Sequence, residues 1–362
     1  MAAEFYTGKN ILAPMVRVCT MPTRILAAEY GADIVYSEEI IDRRLLMCKR
    51  VENPTWGTID YVDTESQSGN IIFRTFPEER DRLVLQLGTG DAARALQCAM
   101  LVAKDVSAID INMGCPLKFS TSSGAGSALL KKPETIRDIL TTLRRNLPSD
   151  VHVTCKIRLM ATVEETVDLA RTIEACGVSA FAVHGRYVSQ RPRDPAHWDL
   201  VKQVVGSVSC PVIANGDVFE YADFEKLRSE TGAAGAMCAR GAMWNQSIFR
   251  KEGLLQPREN LNALLTKCLE WRHPLKNTKY LLREMLIKDK DSGLETEEGR
   301  ALNKSETLQD VAKLFNLQES LVGAKERQLV AATGLKRPCD ATIHDEEQIE
   351  EVSRQRSSLR VE

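Results

Sequence analysis

Eight short apolar segments, at 11–15, 32–37, 83–87, 108–112, 152–157, 180–184, 211–215 and 235–239, set the strongest constraint on what this chain can fold into. Stretches of helical periodicity separate them, at 22–30, 91–103, 133–146, 163–176, 197–205, 221–231 and 245–252. Parallel strands need a crossover to return to the same edge, so strict strand–helix alternation over about 250 residues predicts an α/β fold of the (β/α)8 TIM-barrel type. A doubly wound open sheet is the competitor, and it normally carries a Gly-rich phosphate turn after its first strand. Here the first segment ends in Ala13-Pro14-Met15, which has no such turn. The connection from Glu39 to Arg82 reads as long and irregular.

From about residue 256 the pattern changes to one of helices alone. Leu261, Leu264, Leu265, Cys268 and Leu269 share one helical face, as do Tyr280, Leu281, Met285 and Leu286. Residues 1–250 are therefore expected to form the barrel and 251–325 a small all-helical domain. Residues 326–362 turn polar and have the composition of a solvated, disordered tail.

The whole chain carries a net charge of −2, so any nucleic-acid surface must be a local patch. Between Arg250 and Lys290 ten basic residues face five acidic ones, a local balance of +5. Such a run is most often a solvated helix face, and a polyanion-binding surface is the sharper reading. Lys276, Lys279 and Arg283 are the residues singled out. No window has the roughly 18 uncharged apolar residues of a membrane span, and Met1 to Asn10 lacks the apolar core of a signal peptide. Ten cysteines without paired metal-ligand spacing point to a reducing compartment, cytoplasmic or nuclear, and to no metal site.

Barrel chemistry sits at the C-terminal ends of the strands. Read in order, those ends supply Pro14 and Met15, Glu38 and Glu39, Gln86, Asn112 and Cys115, Lys156 and Arg158, His184 and Arg186, Asn215-Gly216-Asp217, and Ala239-Arg240. The loops after strands seven and eight commonly bind phosphate through backbone N–H groups, and Asn215-Gly216-Asp217 with Arg240-Gly241 suits that. Lys156 at a buried strand end is costly unless it faces an anion or polar ligand. Gln86 and Asn112 offer amides to the edge of a ring. Together these describe a site for a flat, phosphate-bearing ring such as FMN. Cys115 stands between Gly114 and Pro116, residues that set backbone shape rather than fill volume. The plain alternative is a small buried hydrophobe.

The segments Ala13-Pro14-Met15, Asn112-Met113-Gly114-Cys115-Pro116, Cys155-Lys156-Ile157-Arg158, Val183-His184-Gly185-Arg186 and Ala214-Asn215-Gly216-Asp217 resemble the tRNA-dihydrouridine synthase family. The run from Val35 to Asp42 and Asn277-Thr278-Lys279-Tyr280 look most like its eukaryotic subgroup acting at position 20. The resemblance covers both the barrel and the helical region. It implies reduction of a D-loop uridine in tRNA to dihydrouridine, by FMN that NADPH re-reduces. By matching residues, Pro14, Met15, Gln86, Lys156, His184, Asn215, Gly216, Asp217, Ala239 and Arg240 would contact FMN. Cys115 would be the general acid, and Asn112, Arg158 and Arg186 would lie near the flavin face and the uracil. Lys276, Lys279 and Arg283 would hold the tRNA backbone of a monomeric enzyme. Animal members of the subgroup carry a further double-stranded-RNA-binding domain, for which 326–362 is too short. Two other readings stay open: an FMN-dependent enzyme of free pyrimidines, and a non-enzymatic RNA-binding barrel.

Overall fold

A computed structural model describes residues 2–66, 69–287 and 293–321. Its strands are β1 (Asn10–Leu12), β2 (Ile34–Ile41), β3 (Cys48–Asn53), β4 (Thr58–Asp63), β5 (Ile71–Thr75), β6 (Leu83–Gly88), β7 (Ala108–Asn112), β8 (His152–Leu159), β9 (Ala180–Tyr187), β10 (Val212–Asn215) and β11 (Gly235–Cys238). Eight of them close into one parallel barrel, in the order β1-β11-β10-β9-β8-β7-β6-β2. The eight expected segments are these eight strands. Successive residues point to opposite faces. Ile34, Tyr36, Ala108 and Ala180 therefore fill the interior, while Val35, Ile109 and Phe181 face the outer helices.

Three strands outrun the expected ends by two residues or more. β2, β8 and β9 continue through Glu39, Arg158 and Arg186, where apolar alternation gives way to polar residues. Backbone pairing holds them in register although the hydrophobic signal has stopped. In β2 the register shifts between Tyr36 and Glu39, an irregularity that re-aims the residues that follow.

Two expectations need correction. The connection from Glu39 to Arg82 is not irregular: β3, β4 and β5 form a three-stranded antiparallel sheet within it. Ile59, Tyr61 and Phe73 bury one side of it in the barrel's outer core, and charge pairs tie its polar residues. Arg74 makes two hydrogen bonds to Asp60, at 2.6 and 2.7 Å, and Arg50 two to Asp105, at 2.8 and 2.9 Å. The helix expected at 245–252 is instead a short helix, Arg240–Trp244, followed by the 3-10 turn Gln246–Phe249. Asn245 interrupts it in an extended conformation, its side chain capping Ser247.

Four helices, Pro257–Glu270, Leu275–Leu286, Glu297–Lys304 and Leu308–Leu314, follow the barrel. Their apolar faces share one cluster with Val18 and Leu26 from the barrel's first crossover. No helix among the described residues is long and apolar enough to cross a membrane. Residues 326–362, read above as a solvated tail, lie outside the described residues, as do Lys288, Asp289 and Lys290 of the basic run.

One buried ion pair joins the inserted sheet to the barrel. Arg24, on the helix Met21–Glu29, donates to both oxygens of Glu79 at 3.0 and 2.6 Å. It also donates to the carbonyl of Arg74 at the end of β5. Both side chains are almost wholly buried. Removing one partner strands the other charge, which typically costs about 3–5 kcal/mol. Glu79→Ala should lower unfolding free energy in urea by about that amount, whereas an exposed pair such as Arg171–Asp168 should contribute under about 1 kcal/mol.

Candidate active site

The C-terminal ends of the barrel strands enclose two adjoining cavities, of about 640 and 190 Å3. Arg158 and His184 line both. The larger cavity takes Pro14, Gln86, Asn112, Cys115 and Lys156, and the smaller takes Arg186, Asn215, Gly216, Asp217, Ala239 and Arg240. Of the barrel residues singled out from sequence, Met15 and Glu38 line neither; Met15 is the one expected at the cofactor. Its side chain packs half-buried between the barrel and helical cores, and its carbonyl accepts from the N–H groups of Val18 and Cys19.

A chain of side-chain bonds crosses the barrel below the larger cavity. Asp110, fully buried on β7, accepts from Gln86 Nε2 at 2.8 Å and from Thr154 Oγ1 at 2.7 Å. Gln86 Oε1 in turn accepts from Asn112 Nδ2 at 3.0 Å. Asn112 Oδ1 then accepts from the N–H groups of Gly114 and Cys115, both at 3.0 Å. The local sequence Asn-x-Gly-Cys thus folds as a side-chain-closed turn. Gly126 completes the loop: it sits at φ +60°, and a Cβ there would lie 2.4 Å from the Cys115 carbonyl oxygen. Cys115 is half-buried, and burial pushes its thiol pKa up.

Positive charge gathers around this loop. Lys156 makes no hydrogen bond or salt bridge among the described residues, and burial, then the neighbouring Arg158, lowers it from 10.5 to about 8. His184 is held neutral, well below its usual range, by burial and by Lys156, Arg158, Arg186 and Arg240. In the smaller cavity Asp217 is the counter-charge. Its Oδ1 accepts from Arg186 at 2.5 Å and Arg240 at 2.8 Å, and its Oδ2 from the Ala196 N–H at 2.7 Å. Gly216, at φ +140°, brings the backbone where a Cβ would meet Ala196 at 2.7 Å. The helix Arg240–Trp244 begins at the same cavity, so its first N–H groups lack intrahelical partners. The pair of cavities suits an elongated ligand with an anionic end and a flat, polar-edged body.

The helical region reaches the mouth. Tyr280 lines the larger cavity, and the Arg17 guanidinium stacks on its ring 4.3 Å from the centroid. Lys276, Tyr280 and Arg283 follow helical spacing on Leu275–Leu286, so one face carries them. Lys276 and Arg283 are exposed. Lys279 is placed differently: its Nζ donates to the carbonyls of Asn303 and Ser305, at 2.7 and 2.8 Å, closing the end of Glu297–Lys304. Arg17, Glu39, Asp110 and Tyr280 are site residues that the strand-end reading did not assign a role. Glu39 was visible as a charge at a strand end, whereas Asp110 lay inside an apolar run and Tyr280 on a distant helix. No group of three or more His, Cys, Asp or Glu among the described residues could hold a metal ion.

Residues 11–291 match the family described as Dihydrouridine synthase (Dus). The chain is 35% identical over 321 residues to the tRNA-dihydrouridine(20) synthase (NAD(P)+) of Schizosaccharomyces pombe, covering 86% of this chain and 66% of that one. It is 35% identical over 302 residues to the Saccharomyces cerevisiae protein of the same description, covering 78% of each. A mouse tRNA-dihydrouridine(20a/20b) synthase-like protein is 32% identical over 248 residues, covering 68% of this chain and 71% of that one. The chain thus spans about two thirds of the length of the fission-yeast protein.

Because Lys156 titrates near 8 when folded and near 10.5 when solvated, its burial opposes folding fully below pH 8. The penalty fades as pH rises toward 10.5, where both states are neutral. Lys156→Met should therefore stabilise the ligand-free protein by about 1–3 kcal/mol at pH 7, with the gain gone above about pH 10.5. Denaturant unfolding at the two pH values checks this.

Proposed function

The chain belongs to the dihydrouridine synthase family, and from that premise we propose that it reduces a tRNA D-loop uridine, at position 20, to 5,6-dihydrouridine, with bound FMN that NADPH reduces. The observation that carries the reading is that the half-buried Cys115 thiol and the unpaired Lys156 ammonium share one cavity.

The donor set fits FMN. Arg186, Arg240 and the glycine-opened backbone at Gly216 suit a phosphate. Lys156 supplies a cation to the polar edge of the ring, and Gln86 and Asn112 hold fixed amides beside it. Neutral His184 adds a donor without adding charge. When bound there, the flavin would supply hydride chemistry for carbon 6 of uracil. Cys115 gives the proton that carbon 5 then needs, and burial keeps its thiol protonated until then. This differs from a nucleophilic cysteine, which acts as thiolate.

The target uracil is unreachable within a folded tRNA stack, so it must swing out into the barrel mouth. Exposed Leu117 and Phe119 beside Cys115 offer apolar contact to it there. Lys276 and Arg283, on the helix face beside Tyr280, would contact phosphates. The higher identity and longer coverage for position-20 relatives than for 20a/20b relatives support the position. The described cysteines are all free thiols, in keeping with a cytoplasmic or nuclear, reducing setting.

Incubating the protein with NADPH and tRNA lacking dihydrouridine, then mapping reduced uridines, tests the reading. Product at position 20 is expected, and activity confined to free uracil or orotate would overturn it. Cys115→Ala should keep the flavin absorbance band while losing about 100- to 10,000-fold in turnover. Lys276→Glu with Arg283→Glu should weaken tRNA binding and reduce the slope of log affinity against log salt by about 1–2. Lys279→Met should instead lower the unfolding midpoint, with little change in that slope.

A further inference from the structure

We propose that Glu39 is a positioning residue for the acid step: its carboxylate holds the Cys115 thiol in its proton-donating form against the cationic groups around it. The inference rests on the reading of Cys115 as the acid.

Seven carboxylates are buried among the described residues: Glu39, Asp42, Asp60, Asp63, Glu79, Asp105 and Asp110. Five of them pair with an arginine: Asp42 with Arg94, Asp60 with Arg74, Asp63 with Arg44, Glu79 with Arg24 and Asp105 with Arg50. Asp110 accepts two side-chain hydrogen bonds and feels Lys156. Glu39 has no such compensation. Its Oε1 accepts from Ser120 Oγ at 2.5 Å, and its Oε2 has no hydrogen-bond partner. A buried carboxylate left half-satisfied is costly and contributes nothing to folding.

The backbone around it is shaped to admit that side chain. The register shift in β2 precedes Glu39. A Cβ at Gly88 would lie 2.5 Å from Glu39 Oε1, and one at Gly126 2.5 Å from Ser120 Oγ. Two glycines thus clear the space in which Glu39, Ser120 and the Cys115 loop meet. Glu39 and Cys115 line the same cavity, and the carboxylate acts on the thiol as a nearby charge.

The chemistry explains the arrangement. Lys156 and Arg158, on β8, line the same cavity as the thiol, and their charges favour the thiolate. Ser120 and the Leu117 N–H do the same from its own loop. Burial is the largest influence keeping the thiol protonated, and these groups work against it; a thiolate has no proton to give carbon 5. An anion beside the sulfur disfavours that second negative charge. Glu39 is the one carboxylate acting on the thiol, opposing these groups.

The test is the pH dependence of Cys115 alkylation by iodoacetamide, read by peptide mass on the flavin-loaded full chain without tRNA. Glu39→Gln should alkylate about tenfold faster at pH 7.5, corresponding to a midpoint about one unit lower, and Glu39→Asp should restore part of the shift. Ser120→Ala frees the carboxylate and removes a group that favours the thiolate, so its midpoint should rise. Steady-state turnover of Glu39→Gln should lose its alkaline limb at lower pH than the parent enzyme. A midpoint unchanged in both Glu39→Gln and Ser120→Ala, or shifts of the opposite sign, would overturn the proposal. Full turnover by Cys115→Ala would instead sink the acid reading, and Glu39's role in catalysis with it, even where the thiol midpoint moves.

Discussion

Asn112 is the joint between fold and chemistry. It is the last residue of β7, so barrel pairing fixes its backbone. Its Nδ2 donates to Gln86, whose own amide is anchored on Asp110, and its Oδ1 closes the turn that carries Cys115. Every polar end of this side chain is therefore committed, one to the barrel interior and one to the loop. Buried networks of this kind rigidify a site when fully satisfied, and fail together when one member is lost. The thiol's place is thus set by hydrogen bonds that begin in the barrel's interior.

Electrostatics then decides what the site can hold. Lys156, Arg158, Arg186 and Arg240 converge on two cavities. Asp110 and Asp217 offset part of this charge from below and from the side. The neutral state of His184 follows from burial and from this charge: a fifth cation among four is unfavourable. The residual imbalance favours an anionic ligand, and Lys156 with no pair of its own shows where in the larger cavity a ligand atom would complete the set. This is a site carrying a stability cost in the ligand-free state, a common feature of functional positions.

Legibility in the sequence followed the physics of the signal. Period-two and helical hydrophobic patterns report burial of apolar side chains, and the barrel is built from those, so its eight strands were readable. The inserted sheet was not, because its few core residues, Ile59, Tyr61 and Phe73, are interleaved with charged ones, and the ion pairs of Arg50 and Arg74 join residues far apart and leave no local period. Residues at strand ends were readable as a set, since the fold itself sends them to one rim. Their division between two cavities was not readable, nor was the diversion of Lys279 to the carbonyls of Asn303 and Ser305. Spacing along a helix shows which face a lysine occupies, not which acceptors that face meets. Asp110 escaped notice for the opposite reason: it sits in an apolar run that signals a strand, and only its partners make it tolerable there.

The wall of the larger cavity nearest the helical region shows how the parts depend on one another. Arg17 adopts φ +66°, a left-handed conformation that costs a residue with a Cβ about 1–3 kcal/mol. Three contacts hold it there. Its N–H donates to Glu38, its guanidinium lies over Tyr280, and the following Val18 is buried in the helical cluster. One of these comes from the barrel and two from the helices. Strain of this kind persists only where surrounding structure over-determines it, and here it turns a cation and an aromatic ring toward the mouth. The helical region is therefore part of the cavity's construction. Without it, Arg17 has neither its stacking partner nor the apolar anchor beside it, and the barrel's own loop would be released from the shape that completes the cavity.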